Sequence, residues 1–211
     1  MMLKTEYELN TIPHRFMWQI VEEQATLASE PKEGWSKPAL VAMVFAFHTV
    51  EAYLNFAGER FAPEIWQDEQ KYFSKEPYRG WKGKLRKVME LVELHLRPEE
   101  RPLKTIYELK ELRDMIAHGK PKKLADEIVH PEGSEAPPAV SIFRSMFTPK
   151  DKLTTALCDV NQFLNQIHTR AAPKVKNDPW FGDDALCGPE ANSFGSTTLE
   201  SVSDRPPKRR H

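Results

Sequence analysis

The residues best equipped for chemistry lie in one run, Glu111-Leu-Arg-Asp-Met-Ile-Ala-His-Gly-Lys-Pro121. Arg113 carries a planar guanidinium that stays protonated and grips a phosphate through two parallel hydrogen bonds. His118 titrates near neutral pH, so it can accept a proton in one step of a reaction and donate one in another. Asp114 can hold either group. At about 100° per residue, Arg113, Asp114 and His118 fall within an arc of about 140°, while Leu109, Leu112 and Ile116 take the other side. A plainer reading stands beside this one. An arginine near a helix end often pairs with an acid, and a histidine there meets the C-terminal dipole and helps satisfy free carbonyls. With 12 arginines and 7 histidines in 211 residues, about 0.4 pairs at this spacing arise by chance, so the surroundings must carry the argument.

A second polar set interrupts an otherwise apolar stretch. His48, Glu51 and Asn55 recur at i, i+3 and i+7, which lines them along one stripe of a helix. A buried charge demands a partner, and Arg113 is the candidate for Glu51; the bland alternative is that Glu51 and Asn55 satisfy other groups in the core. A zinc site from His48 and Glu51 would need further ligands that no local motif supplies, so no metal is expected. Between Lys71 and Lys87, seven basic residues interleave with Tyr72, Phe73, Tyr78 and Trp81 against one acid, Glu76. This is the best local patch for RNA, with Lys82, Lys84 and Arg86 tracking phosphates and an aromatic stacking on a base. Lys120, Lys122 and Lys123 would extend it past His118. The alternative is a solvated helix face whose aromatics belong to the core.

Five helices must position these groups. Phe16, Met17, Ile20, Val21 and Leu27 give helical spacing over about 14–29. Ser36 and Pro38 open a second helix running to about Arg60. Residues 61–80, with Pro63 and Pro77, read as irregular with one helical turn. Leu85, Val88, Met89, Leu91, Val92 and Leu96 mark a third helix over 81–96. Leu103, Ile106, Tyr107, Leu109, Leu112 and Ile116 mark a fourth, stopped after His118 by Gly119 and Pro121. The runs 127–130 and 139–143 suit a small hairpin. A fifth helix spans about 149–170, with Leu153, Ala156, Leu157, Val160, Phe163, Leu164 and Ile167 facing inward. The fold class is therefore all-α: a bundle of four to five helices over residues 1–172, a hairpin before the last helix, and a tail over 173–211. The tail's Pro, Gly, Ser and Asp content buries too little apolar surface to offset ordering, so it reads as disordered. Trp180 and Phe181 are the exception and could dock.

Composition narrows the field. The charges nearly cancel, to −1, so any nucleic-acid partner needs a local patch. Two cysteines, one in the polar tail, argue against a disulfide framework. The N-terminus lacks a secretory pattern, and a cytoplasmic protein is expected. The apolar run 39–57 contains His48, Glu51 and Asn55, which would be costly in lipid; it reads as a buried central helix, with no membrane partner. No Gly-rich phosphate loop, Ser/His/Asp arrangement or Cys/His zinc module is present.

The Arg113-x4-His118 pair, with polar Asp114 straight after the arginine, at the end of a late helix and preceded by an apolar helix bearing Glu51-Ala-Tyr-Leu-Asn55, resembles the Arg-x4-6-His signature of HEPN (higher eukaryotes and prokaryotes nucleotide-binding) domains. The resemblance covers most of residues 14–170. It implies a homodimer in which two Arg-His motifs line one cleft, and a metal-independent endoribonuclease that cleaves RNA by 2′-OH attack, in a toxin–antitoxin or anti-phage setting. It implies catalytic Arg113, His118 and Asp114, with Glu51, His48 and Asn55 in support, no cofactor, and an antitoxin protein as a partner. The alternative it leaves is a non-catalytic helical module that binds RNA, a nucleotide or a protein; a third is a purely structural dimer.

Overall fold

A computed structural model describes residues 2–30, 34–119, 132–133, 150–175, 178, 181–182, 184–188 and 191–200, with backbone only for 2–10, 150–151 and 191–200. Its helices are α1 (Pro13–Ser29), α2 (Ser36–Phe61), α3 (Pro63–Trp66), α4 (Glu69–Tyr72), α5 (Gly80–Leu91), α6 (Leu103–His118) and α7 (Lys150–Ala171). The described body is all-helical, as the apolar spacing implies. The irregular stretch expected over 61–80 resolves into two single-turn helices, α3 and α4. The 127–130 and 139–143 runs, Lys120, Lys122, Lys123 and Trp180 lie outside the described residues.

Helix α2 is the hub because its sequence is apolar nearly all round: Ala42, Ala46, Phe47, Val50, Tyr53, Leu54 and Ala57 are fully buried. It packs against α1, α3, α5, α6 and α7, and a helix so surrounded keeps only a narrow polar stripe, that of His48 and Glu51, open to water. By length and composition it would also be long enough to cross a bilayer. Small residues let neighbours close in. A β-carbon at Gly58 would run into the indole of Trp66, so Gly58→Ala is expected to overpack the α2–α3 contact and cost about 1–3 kcal/mol, read as a lower urea midpoint with an unchanged slope.

Helix α1 turns a different face inward from the one its apolar residues suggest. Phe16 and Leu27 are 54% and 49% exposed, while His14, Arg15, Trp18, Val21 and Ala28 are buried. Two polar residues occupy the inner face because tail residues pack there: His14 Nε2 lies 3.1 Å from the Ala185 carbonyl oxygen, and Gly188 lies against the Arg15 guanidinium, while on α7 His168 Nε2 lies 2.8 Å from the Gly182 carbonyl oxygen. The described side chains of the tail pack against the bundle. Phe181 stacks on His168 and Phe56, with ring centroids 4.9 and 5.2 Å apart. Ala185 and Leu186 are buried with it, and Arg60 Nε pairs with Asp178 at 2.9 Å. Beyond this clasp, β2 (Ala191–Glu200) pairs antiparallel with β1 (Met2–Thr11), Met2 opposite Glu200 and Thr11 opposite Ala191. Leu3, Thr5, Tyr7 and Leu9 alternate with Lys4, Glu6, Glu8 and Asn10, a strand-like period of two, but the partner strand lies 180 to 198 residues away, where no local rule points.

Candidate functional site

The α2 and α6 stripes meet where the spacing places them. Arg113 Nη2 donates to Glu51 Oε1 at 2.8 Å, and Nη1 lies 2.9 Å from Asp114 Oδ1. The guanidinium carbon sits 4.9 Å from the ring centre of Phe47, a cation–π contact that apolar patterning alone assigns to plain core packing. Glu51 Oε2 in turn is 3.2 Å from His48 Nδ1. Arg113 is held on three sides and is 24% exposed at its side chain. Its Nε is buried without a hydrogen-bond partner, so the group is oriented by its two terminal nitrogens and by Phe47.

Asp114 is doubly engaged, by Arg113 and by Lys110 one turn back. The Lys110 hydrogen bond, helped by the nearby positive charges, holds its carboxyl below the usual aspartate range. Asp114 is therefore an ionised clamp and not a proton shuttle in this arrangement. Lys110 is absent from the candidate residues that the sequence offers, although an i, i+4 Lys/Asp pair on one helix is a readable signal. His118 ends α6 exposed to solvent. Gly119 comes next with φ of 53°, and its N–H closes the helix onto the Met115 carbonyl at 3.2 Å; the left-handed turn stops the helix and leaves the imidazole at the rim. Ile116, expected on the apolar side, is 42% exposed beside it.

Asn55 does not join this cluster through its side-chain oxygen. That oxygen accepts from Lys84 Nζ at 2.9 Å, and Lys84 also bonds Glu69 Oε2 at 2.6 Å. Lys84 is thereby withdrawn from the RNA patch and serves to tie α5 to α2 and α4. Two aromatics of that patch are withdrawn too: Phe73 is buried and Trp81 packs between Phe47 and Tyr107. Tyr72 and Tyr78 stack on each other and stay partly exposed. Of the four α5 cations, Lys82 and Arg86 are exposed and Lys87 is half-buried over the Tyr78 ring. Arg86 Nη1 donates to the Pro77 carbonyl at 3.0 Å.

Among the described residues no three His, Cys, Asp or Glu side chains gather into a metal-binding group. The arrangement offers a fixed guanidinium, 24% exposed, and an exposed imidazole five residues on at the end of the same helix. Comparison with protein-family models, with curated proteins and with solved structures finds no match to this chain.

Proposed function

We propose that this chain is a HEPN-type, metal-independent endoribonuclease that acts as a homodimer in the cytoplasm, within a toxin–antitoxin or anti-phage system and under control of an antitoxin protein. The observation that carries the reading is the pairing of an arginine fixed by Glu51 and Phe47 with a solvent-facing histidine five residues on, at the end of the same helix. A fixed guanidinium loses little freedom on meeting a phosphate. In the proposed reaction the 2′-oxygen attacks phosphorus and its proton passes to one His118. The bond to the 5′-oxygen breaks as the partner's His118, protonated, supplies that oxygen with a proton. Arg113 offsets charge on the phosphate, and Glu51 is a positioning residue that aims it. The products are a 2′,3′-cyclic phosphate and a 5′-hydroxyl.

One observation favours a second reading. Both terminal nitrogens of Arg113 already face carboxylates, an arrangement that also suits a non-catalytic module binding RNA or protein at its rim. Cleavage of mixed RNA in EDTA separates the two. On the ribonuclease reading, wild type yields cyclic-phosphate ends, and His118→Ala and Arg113→Ala each lose about 100-fold or more in rate while remaining folded. Inert wild type, or variants that cut equally well, would give the binding module the lead.

A further inference from the structure

A second concavity lies on another flank of the same helix. It has a volume of about 440 Å³ and sits between α5, the 94–98 connection and the start of α6. Tyr107, in its wall, precedes Arg113 by six residues, which is about 9 Å along the helix and about 120° around it. The two sites therefore face different directions.

The wall is sorted by polarity. Leu85, Leu94 and Leu103 are buried at its base, with Met89, Leu96 and Tyr107 half-buried above them. The mouth carries Lys82, Arg86, His95 and Arg97, all exposed, against a single acid, Glu90. That acid is already engaged, since Tyr78 Oη donates to its Oε2 at 2.7 Å. Arg97 meets Glu100 at 3.4 Å in a largely exposed pair, which counts for little in water. Lys82 lies 5.4 Å from the Tyr107 ring centre and Arg86 is on a carbonyl; among the described residues neither has a carboxylate within ion-pair distance. Apolar base, cationic mouth and a volume within the range of small-ligand pockets, about 300–1,000 Å³, together define one kind of occupant.

We propose that this pocket binds a small amphiphilic organic anion, an apolar acyl or aryl body with a carboxylate or phosphate at one end. The body lies on Leu85, Leu94 and Leu103, and the anionic end rests between Lys82 and Arg86. Uncharged and cationic molecules of the same shape leave those two cations unpaired or repelled, so the pocket selects by charge at its mouth and by surface at its base. None of its residues belongs to the Arg113 cluster, but Lys82 and Arg86 are also cations of the expected RNA patch, so the test must tell the two occupants apart.

Calorimetric titration of the full chain with decanoate and decyl phosphate, alongside decan-1-ol and decylammonium, tests it, with amide NMR shifts locating the site. Saturable binding of the two anions at one site per chain is expected, with shifts centred on residues 82–107 and at least tenfold weaker binding of the alcohol and the amine. Lys82→Glu with Arg86→Glu should weaken decanoate at least tenfold while leaving the melting temperature close to wild type. Met89→Trp, which fills the pocket from a half-buried position, should abolish binding of both anions. The proposal is overturned if neither anion saturates, if decan-1-ol binds as well as decanoate, or if the double charge reversal changes nothing. It is equally overturned if a short RNA, and not the anions, moves the 82–107 resonances, which would assign the face to nucleic acid. Whether one head group or both bind distinguishes carboxylate from phosphate sources.

Discussion

A chain ended after Ala172 is expected to lose its cooperative fold, although the apolar periodicity marks that residue as the natural edge of the bundle. Removing residues 173–211 strips Phe181 from Phe56 and His168, and takes Ala185 and Leu186 out of the core. A large apolar side chain is worth about 1.5–3 kcal/mol when fully buried. His14 and His168 would also lose their carbonyl acceptors, each at about 1–3 kcal/mol for a buried polar atom left unsatisfied. Several kilocalories per mole gone from a typical total of about 5–15 leaves little or no net stability. Thermal melting by circular dichroism, comparing chains ended at 172 and at 200, decides it. If the shorter one melts sharply within a few degrees of the longer, the clasp is a passenger.

Acid should undo the same clasp before it reaches the carboxylates. Burial pushes the His14 imidazole down to about 3 from its ordinary 6.5, with Arg15 adding repulsion. Burial also lowers His168. Both rings are therefore neutral in the folded chain where they would be charged in the unfolded one. The unfolded state binds more protons below pH 6.5, so stability falls as pH drops from 6.5 toward the folded value. His14 alone accounts for a loss on the order of 3 kcal/mol between pH 6.5 and about pH 4. Asp159 and Asp184 act lower. Burial opposes their ionisation, but hydrogen bonds from Arg101 and Thr105, and from the Leu186 and Cys187 amides, outweigh it. Their contribution is lost as pH falls below the usual aspartate range. Urea unfolding across pH 4–7 should show this slope in wild type and a shallower one in His14→Phe, which keeps a ring among Tyr53 and Phe56 without a proton to gain. An identical slope in both would remove His14 from the account.

The parts of this protein governed by local rules are legible in its residues. Helix spacing places α2, α6 and α7 within a residue or two, and Gly119 marks the end of α6 because a left-handed turn needs no β-carbon there. The link from Glu51 to Arg113 is one of two readings that the residues leave open, since a carboxylate on an apolar stripe needs a partner but other core groups could serve; the structure shows the pair. The features that spacing does not reveal depend on distant chain. Periodicity assigns the wrong inner face to α1 because Phe16 and Leu27 look like core residues, while the buried His14 and Arg15 make sense only once Ala185 and Gly188 are in place. Lys84 looks like a phosphate ligand because its partners, Asn55 and Glu69, come from two other helices. Asp159 gives no signal of its own, yet it receives Arg101 at 2.7 Å and Thr105 across 54 residues, anchoring the start of α6. Each of these is a polar group whose partner has no fixed sequence offset.

The hydrogen bond from His14 to Ala185 joins positions 171 residues apart, and it bears on how the chain is born. During synthesis α1 emerges early with an inner face that nothing can complete until the clasp has been translated. Closing so long a loop is entropically slow compared with forming any of the helices. The adjacent β1 and β2 offer a way to reverse that order: a circular permutant that joins residue 200 to residue 2 through a short linker, and opens at the exposed turn 132–133, would place the clasp one hairpin ahead of α1. The same contacts would then be local, and the permutant should fold faster than the natural order while ending in the same structure.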